Sequence, residues 1–497
     1  MAQHSIKEKI DLLTIEKRSY INGQYVNALN GEIIKKTSSI DGRDISGISA
    51  CQQNDVDHAV DVALTAFKLK IWSNKTTQEK KDILLKLADL MELNKEQLAL
   101  LDTIETGRAF KNYYYDSIPK AISCLRYFAE SADKYYDLSI PPRTDASATI
   151  CREPLGAVAL ITPWNDPMVV SIWKIAPALL MGNSVIIKPA EQSSFSILLF
   201  ARLTKEAGIP DGIFNVVTGY GEIVGKALAL HKKIAGVFFT GSSETGKKIL
   251  QYSGQSNMKK VGLECGGKSP FIISNKCTNL TQAVKTLAKS MFYNQGQICS
   301  APSRVFIDSN IKEEFIKLLL KESKNYIPQD PLDINSEVGC LINKQQQQRI
   351  QYFIDQGIKS GATRHVIGKT TNLHPESIYL LPTIFETNDN NLIIAQEEIF
   401  GPVLVVISYT DINAAITMAN ESKYGLAASI WSNDLDESYK IARELQAGIV
   451  HINSYGNDDD TVPFGGIKQS GMGKDKSMHA FDEYSYLKTT WIQYRQQ

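Results

Sequence analysis

The stretch that decides the fold, residues 157–240, reads AVALITPWNDPMVVSIWKIAPALLMGNSVIIKPAEQSSFSILLFARLTKEAGIPDGIFNVVTGYGEIVGKALALHKKIAGVFFT. Short apolar runs of strand length, such as Val158-Ala-Leu-Ile161 and Val185-Ile-Ile187, alternate here with segments of helix length. This alternation is typical of a parallel sheet with crossover helices. The stretch therefore predicts an α/β architecture of the nucleotide-binding kind.

The sequence on either side extends this prediction. Apolar spacing at i, i+3 and i+4 predicts helices over residues 55–67, 78–99 and 116–136. A second strand–helix alternation, which includes Phe271-Ile-Ile273 and Val403-Leu-Val-Val-Ile407, predicts another α/β domain. Between these regions, residues 136–152 are extended and carry prolines, which is typical of an arm. Gln345-Gln-Gln-Gln348 reads as a solvated helix face.

Composition narrows the function classes. The 497 residues can form two or three domains, and Lys+Arg equals Asp+Glu at 54 each, so bulk charge does not indicate a nucleic-acid or anionic-membrane partner. The seven cysteines are odd in number and never spaced CxxC, so neither a disulfide scaffold nor a metal site is expected. The N-terminus lacks a signal pattern, and Pro and Asn interrupt the most apolar region. We therefore expect a cytoplasmic protein that acts on small molecules.

Three stretches have residue types that suit covalent catalysis, and each also has an ordinary interpretation. Cys299 follows a Gly/Gln/Asn-rich turn whose backbone N–H groups would favour a thiolate, although a free cysteine is most often a small buried residue. Glu264 lies in an apolar, glycine-rich segment that would raise its pKa toward that of a general base, or it caps a helix. Asn165 ends a strand, where it could donate to an oxyanion or form a turn.

Two further stretches suit a dinucleotide. Gly241-Ser-Ser-Glu-Thr-Gly246 lies between a predicted strand and a predicted helix, where backbone amides could approach a pyrophosphate, as they also do in ordinary turns. Glu191 follows a strand and could accept hydrogen bonds from ribose hydroxyls while repelling a 2′-phosphate, which favours NAD over NADP. A surface ion pair with Lys188 is the alternative interpretation.

Taken in chain order, seven motifs resemble the signatures of the NAD(P)-dependent aldehyde dehydrogenase family. They are Pro163-Trp-Asn165, Lys188-Pro-Ala-Glu191, Phe239-Thr-Gly-Ser242 with Gly246, Leu263-Glu-Cys-Gly-Gly-Lys-Ser-Pro270, the Cys299 stretch, Glu397-Glu-Ile-Phe-Gly-Pro402, and Pro463-Phe-Gly-Gly466 with Lys468, Ser470, Gly471 and Gly473. The resemblance implies a Rossmann-type NAD-binding domain (residues 1–135 and 151–264), a catalytic domain (265–465) and oligomerisation segments (136–150 and 476–497).

The resemblance also assigns site residues. It implies Cys299 as nucleophile, Glu264 as general base, Asn165 as an oxyanion donor, and Lys174 with Asp475 as a proton relay. Residues implied at the NAD cofactor are Ile161, Trp164, Lys188, Glu191, Gly221, Thr240, Gly241, Ser242, Leu263, Glu398 and Phe400. Those implied at the substrate are Asp116, Lys120, Asp166, Trp173, Tyr293, Asp458 and Phe464. A homodimer or homotetramer is expected, because the arm and the final strand resemble segments that pair across subunits.

The C-terminal tail resembles a subgroup, the gamma-glutamyl-gamma-aminobutyraldehyde dehydrogenases of putrescine breakdown, which also includes enzymes of broad or indolic range. Two tunnel-associated positions depart from the family: Asp166 replaces an aromatic residue, and Asn457-Asp-Asp-Asp460 is acidic. These carboxylates would favour a cationic or hydrogen-bond-donating tail, while Lys120 opposes a cation or would hold a substrate carboxylate; the acidic run is otherwise a solvated loop. Asp166 would also raise the pKa of Cys299 unless a cation offsets it.

Two rival classes remain at this level. A phosphorylating or CoA-acylating relative would use the same cysteine without a water-activating base, which Glu264 argues against. A structural protein built on the same fold is the other rival, which intact Cys299, Glu264 and Asn165 argue against.

Overall fold

The computed structural model describes residues 5–370 and 373–495. The start of the predicted NAD-binding domain (residues 1–4) and the end of the predicted oligomerisation segment (residues 496–497) lie outside the described residues. The strands are β1 (Ser19–Ile21), β2 (Gln24–Val26), β3 (Ile33–Thr37), β4 (Asp44–Ser49), β5 (Leu138–Ser139), β6 (Ala146–Pro154), β7 (Ala157–Ile161), β8 (Ser184–Lys188), β9 (Phe214–Val216), β10 (Gly236–Thr240), β11 (Lys260–Glu264), β12 (Pro270–Ile273), β13 (Arg304–Asp308), β14 (Thr363–Val366), β15 (Thr383–Thr387), β16 (Val403–Tyr409), β17 (Tyr424–Gly425), β18 (Ala427–Trp431), β19 (Ile449–Ile452), β20 (Ile467–Lys468), β21 (Gly471–Met472) and β22 (Ser485–Gln493).

The α-helices are α1 (Ile6–Asp11), α2 (Gln53–Lys68), α3 (Thr77–Leu93), α4 (Lys95–Thr106), α5 (Phe110–Asn112), α6 (Ile118–Ser131), α7 (Pro167–Leu180), α8 (Phe195–Ala207), α9 (Lys226–Leu230), α10 (Ser243–Gln255), α11 (Leu280–Phe292), α12 (Lys312–Glu322), α13 (Lys344–Lys359), α14 (Ile393–Gln396), α15 (Ile412–Asn420), α16 (Leu435–Glu444) and α17 (Ala480–Glu483). Short π-helical turns occupy Tyr113–Ser117 and Gly221–Gly225, and 3₁₀ turns occupy Tyr293–Gly296, Ser309–Ile311 and Ser323–Tyr326. No helix among the described residues is long and apolar enough to cross a membrane.

The first sheet has the order β2-β1-β9-β8-β7-β10-β11-β21, and its five strands from β9 to β11 are parallel. Alternate residues of β7 enter two different hydrophobic cores: Val158 and Leu160 pack on one face, Ala159 and Ile161 on the other. Side chains alternate between the faces of a strand, so covering both faces demands the uninterrupted apolar run seen in the sequence. The predicted parallel α/β sheet is confirmed.

The second sheet has the order β14-β15-β16-β13-β12-β18-β19 and is parallel except for the edge strand β14. Its central strands are again buried on both faces, with Val305 in one core and Phe306 in the other. The sequence did not predict β14, whose residues Thr-Arg-His-Val are mostly polar and exposed. An edge strand with one neighbour lacks the apolar run on which the prediction relied.

A third, three-stranded sheet joins the predicted arm to the end of the chain. Strand β22 pairs antiparallel with β6 over nine residues, from Ser485 opposite Pro154 to Gln493 opposite Ala146, and β5 pairs with the other edge of β6. Along β22, every residue after Ser485 is exposed, including Leu487 and Trp491. The ribbon therefore presents an apolar face that the described chain leaves uncovered.

Arg304, the first residue of β13, ties the second sheet to the end of α15. Its buried guanidinium donates to the carbonyl oxygens of Met418 (3.2 Å) and Ala419 (2.9 Å), which lie in the last turn of that helix. It also donates to the Lys268 carbonyl oxygen at 3.0 Å. The last carbonyls of a helix have no partner within the helix, so a buried arginine satisfies acceptors that would otherwise be unpaired.

We expect Arg304→Met to lower the free energy of unfolding by about 3 kcal/mol, because it strands buried carbonyl oxygens that had a charged donor. Urea unfolding followed by tryptophan fluorescence measures the change. Arg202→Met is the matched control, since the Arg202 side chain is exposed and pairs with the exposed Glu206 on α8. Equal midpoints for Arg304→Met and the wild type would contradict this account of Arg304.

Candidate active site

A cleft of about 1050 Å³ gathers most of the predicted site residues. Its lining includes the catalytic candidates Cys299, Glu264 and Asn165, and all the substrate candidates: Asp116, Lys120, Asp166, Trp173, Tyr293, Asp458 and Phe464. From the cofactor set it includes Trp164, Thr240, Gly241, Ser242, Glu398 and Phe400. The other predicted residues, which do not line the cleft, are Lys174, Asp475, Ile161, Lys188, Glu191, Gly221 and Leu263.

The loop that carries Cys299 has an unusual backbone. After α11, Asn294 (φ 52°), Gln295 (φ 51°) and Gly296 (φ 68°) are consecutive left-handed residues, a conformation that costs energy for any residue with a Cβ. The Gln295 side chain donates to the Gly339 carbonyl at 2.6 Å and accepts from the Leu380 N–H at 3.0 Å. These side-chain bonds hold the strained turn in place ahead of the half-buried Cys299.

Asn165 is tied to this loop by hydrogen bonds. Its Nδ2 donates to the Gln297 carbonyl at 3.0 Å, and the Asn165 carbonyl accepts from Asn294 Nδ2 at 3.3 Å. Because an amide nitrogen carries two N–H groups, one remains to donate elsewhere. The end of β7 and the Cys299 loop are therefore fixed relative to each other.

Burial raises the pKa of Cys299 to about 12, and the Glu398 and Glu264 carboxylates act in the same direction. The backbone N–H groups of Ser300 and of Cys299 itself lower it by less. The amides thus favour the thiolate in the expected direction, but desolvation outweighs them and the net pKa is raised. Asp166, expected to raise this pKa, is instead paired with Arg108 at 3.0 Å.

Glu264 is buried, and neither of its carboxylate oxygens has a hydrogen-bond partner among the described residues. Burial raises the pKa of Glu264 well above its ordinary value; Asp475 adds to the shift and Lys174 opposes it. This direction is the one the sequence predicts for the apolar, glycine-rich setting. Lys174 and Asp475 form a buried ion pair at 2.7 Å. Because both residues change the pKa of Glu264, the pair acts on the Glu264 carboxylate electrostatically.

The cleft continues to the N-terminus of α10, a thirteen-residue helix with Ser242 as its N-cap. Ser242 Oγ accepts from the Thr245 N–H at 3.2 Å, and Thr240 Oγ1 is buried with no partner among the described residues. Free helix-terminal N–H groups and an unpaired hydroxyl suit an anionic diphosphate. Outside the cleft, Lys188 Nζ pairs with Glu191 at 2.8 Å. Burial alone would raise the pKa of Glu191, but the lysine brings it below its ordinary value, so Glu191 stays ionised.

Glu398 and Phe400 lie on a loop whose backbone carbonyls accept hydrogen bonds from side chains of α13. Phe400 has a left-handed backbone (φ 58°), and its ring meets Trp164 edge-on at 5.3 Å between centroids. Gln346 Nε2 donates to the Phe400 carbonyl and Arg349 Nη2 to the Glu398 carbonyl, both at 2.8 Å. The prediction that the glutamine run is only a solvated helix face is therefore wrong, because α13 turns Gln346 toward this loop. Burial raises the pKa of Glu398 to about 7.

Each acidic residue predicted for the substrate wall has a cationic partner. The pairs are Asp166 with Arg108 (3.0 Å), Asp116 with Lys120 (2.9 Å) and Asp458 with Lys476 (2.8 Å). Asp459 and Asp460 also line the cleft without an ion pair within 4 Å among the described residues. The argument for a cationic tail therefore fails at Asp166 and Asp458, where buried cations neutralise the charge, and the hydrogen-bond-donating tail stays a prediction.

The sequence did not predict two of these cations, Arg108 and Lys476. Arg108 directly follows Gly107, the left-handed residue that ends α4, and Lys476 adjoins the relay candidate Asp475. Both are buried, at 3% and 4% exposure. A Gly-Arg pair after a helical pattern does not show that the arginine turns inward. The one available signal was the unusual Asp166, since a carboxylate in an apolar tunnel needs a counter-charge.

The family model described as "Aldehyde dehydrogenase family" matches residues 25–490, and the chain belongs to that family. It is 42% identical over 486 residues to the NADP/NAD-dependent aldehyde dehydrogenase PuuC of Escherichia coli (strain K12), covering 98% of this chain and 97% of PuuC. It is similar to the solved gamma-glutamyl-gamma-aminobutyraldehyde dehydrogenase from Burkholderia cenocepacia J2315 (TM-score 0.95, 39% identity, 99% and 100% covered). It is also similar to an indole-3-acetaldehyde dehydrogenase solved with NAD+ (TM-score 0.97, 40% identity, 99% and 100% covered).

We expect alkylation of Cys299 by iodoacetamide in the ligand-free enzyme to accelerate with pH up to at least pH 9. A raised pKa leaves the thiol protonated at neutral pH, and the reactive thiolate grows about tenfold per pH unit below that pKa. Mass spectrometry of the Cys299 peptide gives the rate.

Glu398→Gln should speed alkylation at pH 8, because it removes a carboxylate that opposes the thiolate. Cys299→Ala is the control for labelling at other cysteines. A rate that levels off below pH 8 in the wild type would contradict the raised pKa.

Proposed function

We propose that this protein oxidises an aldehyde to a carboxylic acid with NAD, through a covalent intermediate on Cys299. The observation that carries the proposal is the placement of Glu264 in the cleft of Cys299, buried and with both carboxylate oxygens unpartnered among the described residues. A buried carboxylate without a partner is costly, and carboxylates in such settings are concentrated at functional sites.

The described residues fit NAD. The N-terminus of α10 and the unpaired Thr240 hydroxyl would hold the diphosphate, and Glu191 would accept from the adenine ribose hydroxyls. Glu398 and Phe400 would contact the nicotinamide end, and because both line the cleft together with Cys299, that end would lie near the proposed nucleophile. When bound, NAD supplies the acceptor for the hydride that leaves the substrate carbon.

Cys299 is the proposed nucleophile. Its thiolate adds to the aldehyde carbon, and the developing oxyanion accepts from the free N–H of Asn165 and from the Cys299 backbone N–H. Removing one such donor typically costs about 10²–10³ in rate. The bond between Asn165 and the Gln297 carbonyl fixes the donor before the substrate arrives.

Glu264 is the proposed general base for hydrolysis of the thioester. Because burial raises the pKa of Glu264, its ionised form is a stronger base toward water than an ordinary glutamate carboxylate. The buried pair of Lys174 and Asp475 would carry that proton away from Glu264 and keep its side chain in position. A phosphorylating or CoA-acylating activity would not need Glu264 as a water-activating base, so we do not favour such an activity.

For the substrate we propose an aminoaldehyde, such as gamma-glutamyl-gamma-aminobutyraldehyde. Support comes from the similarity to the Burkholderia enzyme of that name and to the aminoacetaldehyde dehydrogenase of Pseudomonas aeruginosa, 37% identical over 481 residues. The polar, ion-paired substrate wall suits such a tail better than an aromatic one. The similarity to an indole-3-acetaldehyde dehydrogenase keeps a broad or indolic range as the second candidate.

We also propose a homodimer or homotetramer, the predicted two-domain division with its boundaries, and a cytoplasmic location. The uncovered apolar face of β22 supports assembly, because a long exposed edge of this kind is a liability in a monomer. All seven cysteines are free, which suits a reducing compartment.

The covalent mechanism is tested by pre-steady-state kinetics of NADH formation. Cys299→Ser should lose measurable oxidation, because a hydroxyl without an adjacent base is a poor nucleophile. Glu264→Gln should form about one NADH per site in a burst and then turn over at least 100-fold more slowly than the wild type. Full steady-state turnover by either variant would remove that residue from its proposed role.

Light scattering tests the assembly. We expect the wild type to have two or four times the chain mass of 55.2 kDa, and Leu487→Glu with Trp491→Glu to lower it, because two charges then lie on the proposed interface. Leu93→Glu, an exposed change at the end of α3, is the control. A monomeric wild type at micromolar concentration would contradict the proposal.

A further inference from the structure

Lys36 is a buried lysine that the proposed chemistry does not use. Exposure alternates along β3, so that Ile34 and Lys36 face inward while Lys35 faces outward. Lys36 Nζ donates to the buried carboxylate of Glu105 and lies 4.3 Å from the centre of the Phe195 ring. This one side chain therefore joins β3 to the last turn of α4 and to the start of α8.

Glu105 caps α8 from outside that helix. Its carboxylate accepts from the N–H of Ser194 at 3.0 Å and from the N–H of Phe195 at 2.8 Å. Ser194 is the N-cap residue, but its hydroxyl does not cap the helix and donates instead to the Ala190 carbonyl at 2.9 Å. Because the first N–H groups of a helix have no partner within it, Glu105 supplies the acceptor that Ser194 does not.

We propose that Lys36 is a positioning residue of the cofactor site, which acts through Glu105 and Ser194 to hold the loop that carries Glu191. This loop, residues 189–194, joins β8 to α8, and the bond from Ser194 to Ala190 fixes the backbone directly before Glu191. Glu191 is the proposed acceptor for the adenine ribose hydroxyls. The inference therefore rests on the proposed function and adds a residue to its cofactor side.

The electrostatics around Glu191 support the same link. Burial lowers the pKa of Lys36 well below its ordinary value, and the Glu191 and Asp102 carboxylates oppose this shift. At Glu191, burial raises the pKa, and Lys188 and then Lys36 lower it. Lys36 thus lies within electrostatic reach of the ribose acceptor. Because an amine and an ammonium both donate, the bond from Lys36 to Glu105 is kept in either protonation state.

Stability alone does not require a lysine at this position. A buried ion pair recovers little more than the cost of removing both charges from water, and apolar side chains of similar size often stabilise a protein as well. Ile34 already fills the preceding inward position of β3 with an apolar side chain. A Lys36 that served the fold alone would affect unfolding and leave cofactor affinity unchanged.

Isothermal titration calorimetry with NAD, and with ADP-ribose, which lacks the nicotinamide, separates these two roles. Lys36→Met should weaken the binding of both ligands by about 10-fold, because it removes a buried hydrogen bond to a charged group and loosens the Glu191 loop. The KM for NAD should rise by a similar factor, whereas kcat at saturating NAD and the KM for the aldehyde should stay within about 2-fold of the wild-type values. Lys35→Met is the matched control, since Lys35 is the exposed neighbour on the same strand, and its affinities should equal those of the wild type.

A double-mutant cycle with Glu105→Ala tests the route. In that background, Lys36→Met should weaken ADP-ribose binding by less than about 2-fold, because both changes remove the same link. An unchanged affinity for ADP-ribose in folded Lys36→Met, or as large a loss with Glu105→Ala as without it, overturns the proposal. A wild type that binds neither NAD nor ADP-ribose would instead overturn the proposed function.

Hydrogen exchange followed by mass spectrometry needs no variant. Because coupling between two sites is reciprocal, ADP-ribose should stabilise the contact between Lys36 and Glu105 and slow amide exchange in β3 (Ile33–Thr37) by about 3-fold or more. Strand β14 in the second sheet is the internal control, and its exchange should be the same with and without the ligand. Unchanged exchange in β3 overturns the proposal even if Lys36→Met fails to fold.

Discussion

Desolvation of ionisable groups around Cys299 is the constraint on which the site depends. Burial raises the pKa of Cys299, of Glu264 and of Glu398, and each carboxylate also raises the pKa of the thiol. The resting site therefore favours protonated, uncharged groups, which limits the cost of burying them. A group that enters the cleft with positive charge would shift all three toward ionisation, so the proposed cofactor would increase the thiolate fraction of Cys299 on binding.

The cost of burying charge also shapes the substrate wall, where ion pairs reduce it. Asp166 and Asp458 are balanced by buried cations, Arg108 and Lys476, so these parts of the wall are polar but locally neutral. A neutral polar wall selects ligands by the pattern of donors and acceptors more than by net charge. This reading replaces the cationic-tail argument that the carboxylates alone suggested.

The sequence predicted most of the fold because both parallel sheets are buried on two faces, which requires apolar runs as clear as those of β7 and β16. It missed the polar edge strand β14 for the same reason. The motifs that resemble the family led to Cys299, Glu264 and Asn165, which the cleft brings together. The inward positions of Arg108 and Gln346 were not predicted, since whether a polar side chain on a surface-like segment turns inward depends on which elements pack over it; Asp166 indicated that a counter-charge is needed but not which residue supplies it.

The C-terminal end of helix α4 contacts two separate parts of the site. Its Glu105 accepts from the N–H groups of Ser194 and Phe195 at the start of α8, just after Glu191, and also pairs with the buried Lys36. Three residues further on, Arg108 reaches the substrate wall. Because the charged residues at one helix end serve both the cofactor side and the substrate side, a change that moves α4 would alter both. Because Arg108 lies beyond the end of the helix, a change of its side chain alters the cleft wall without removing the Glu105 contacts to the start of α8.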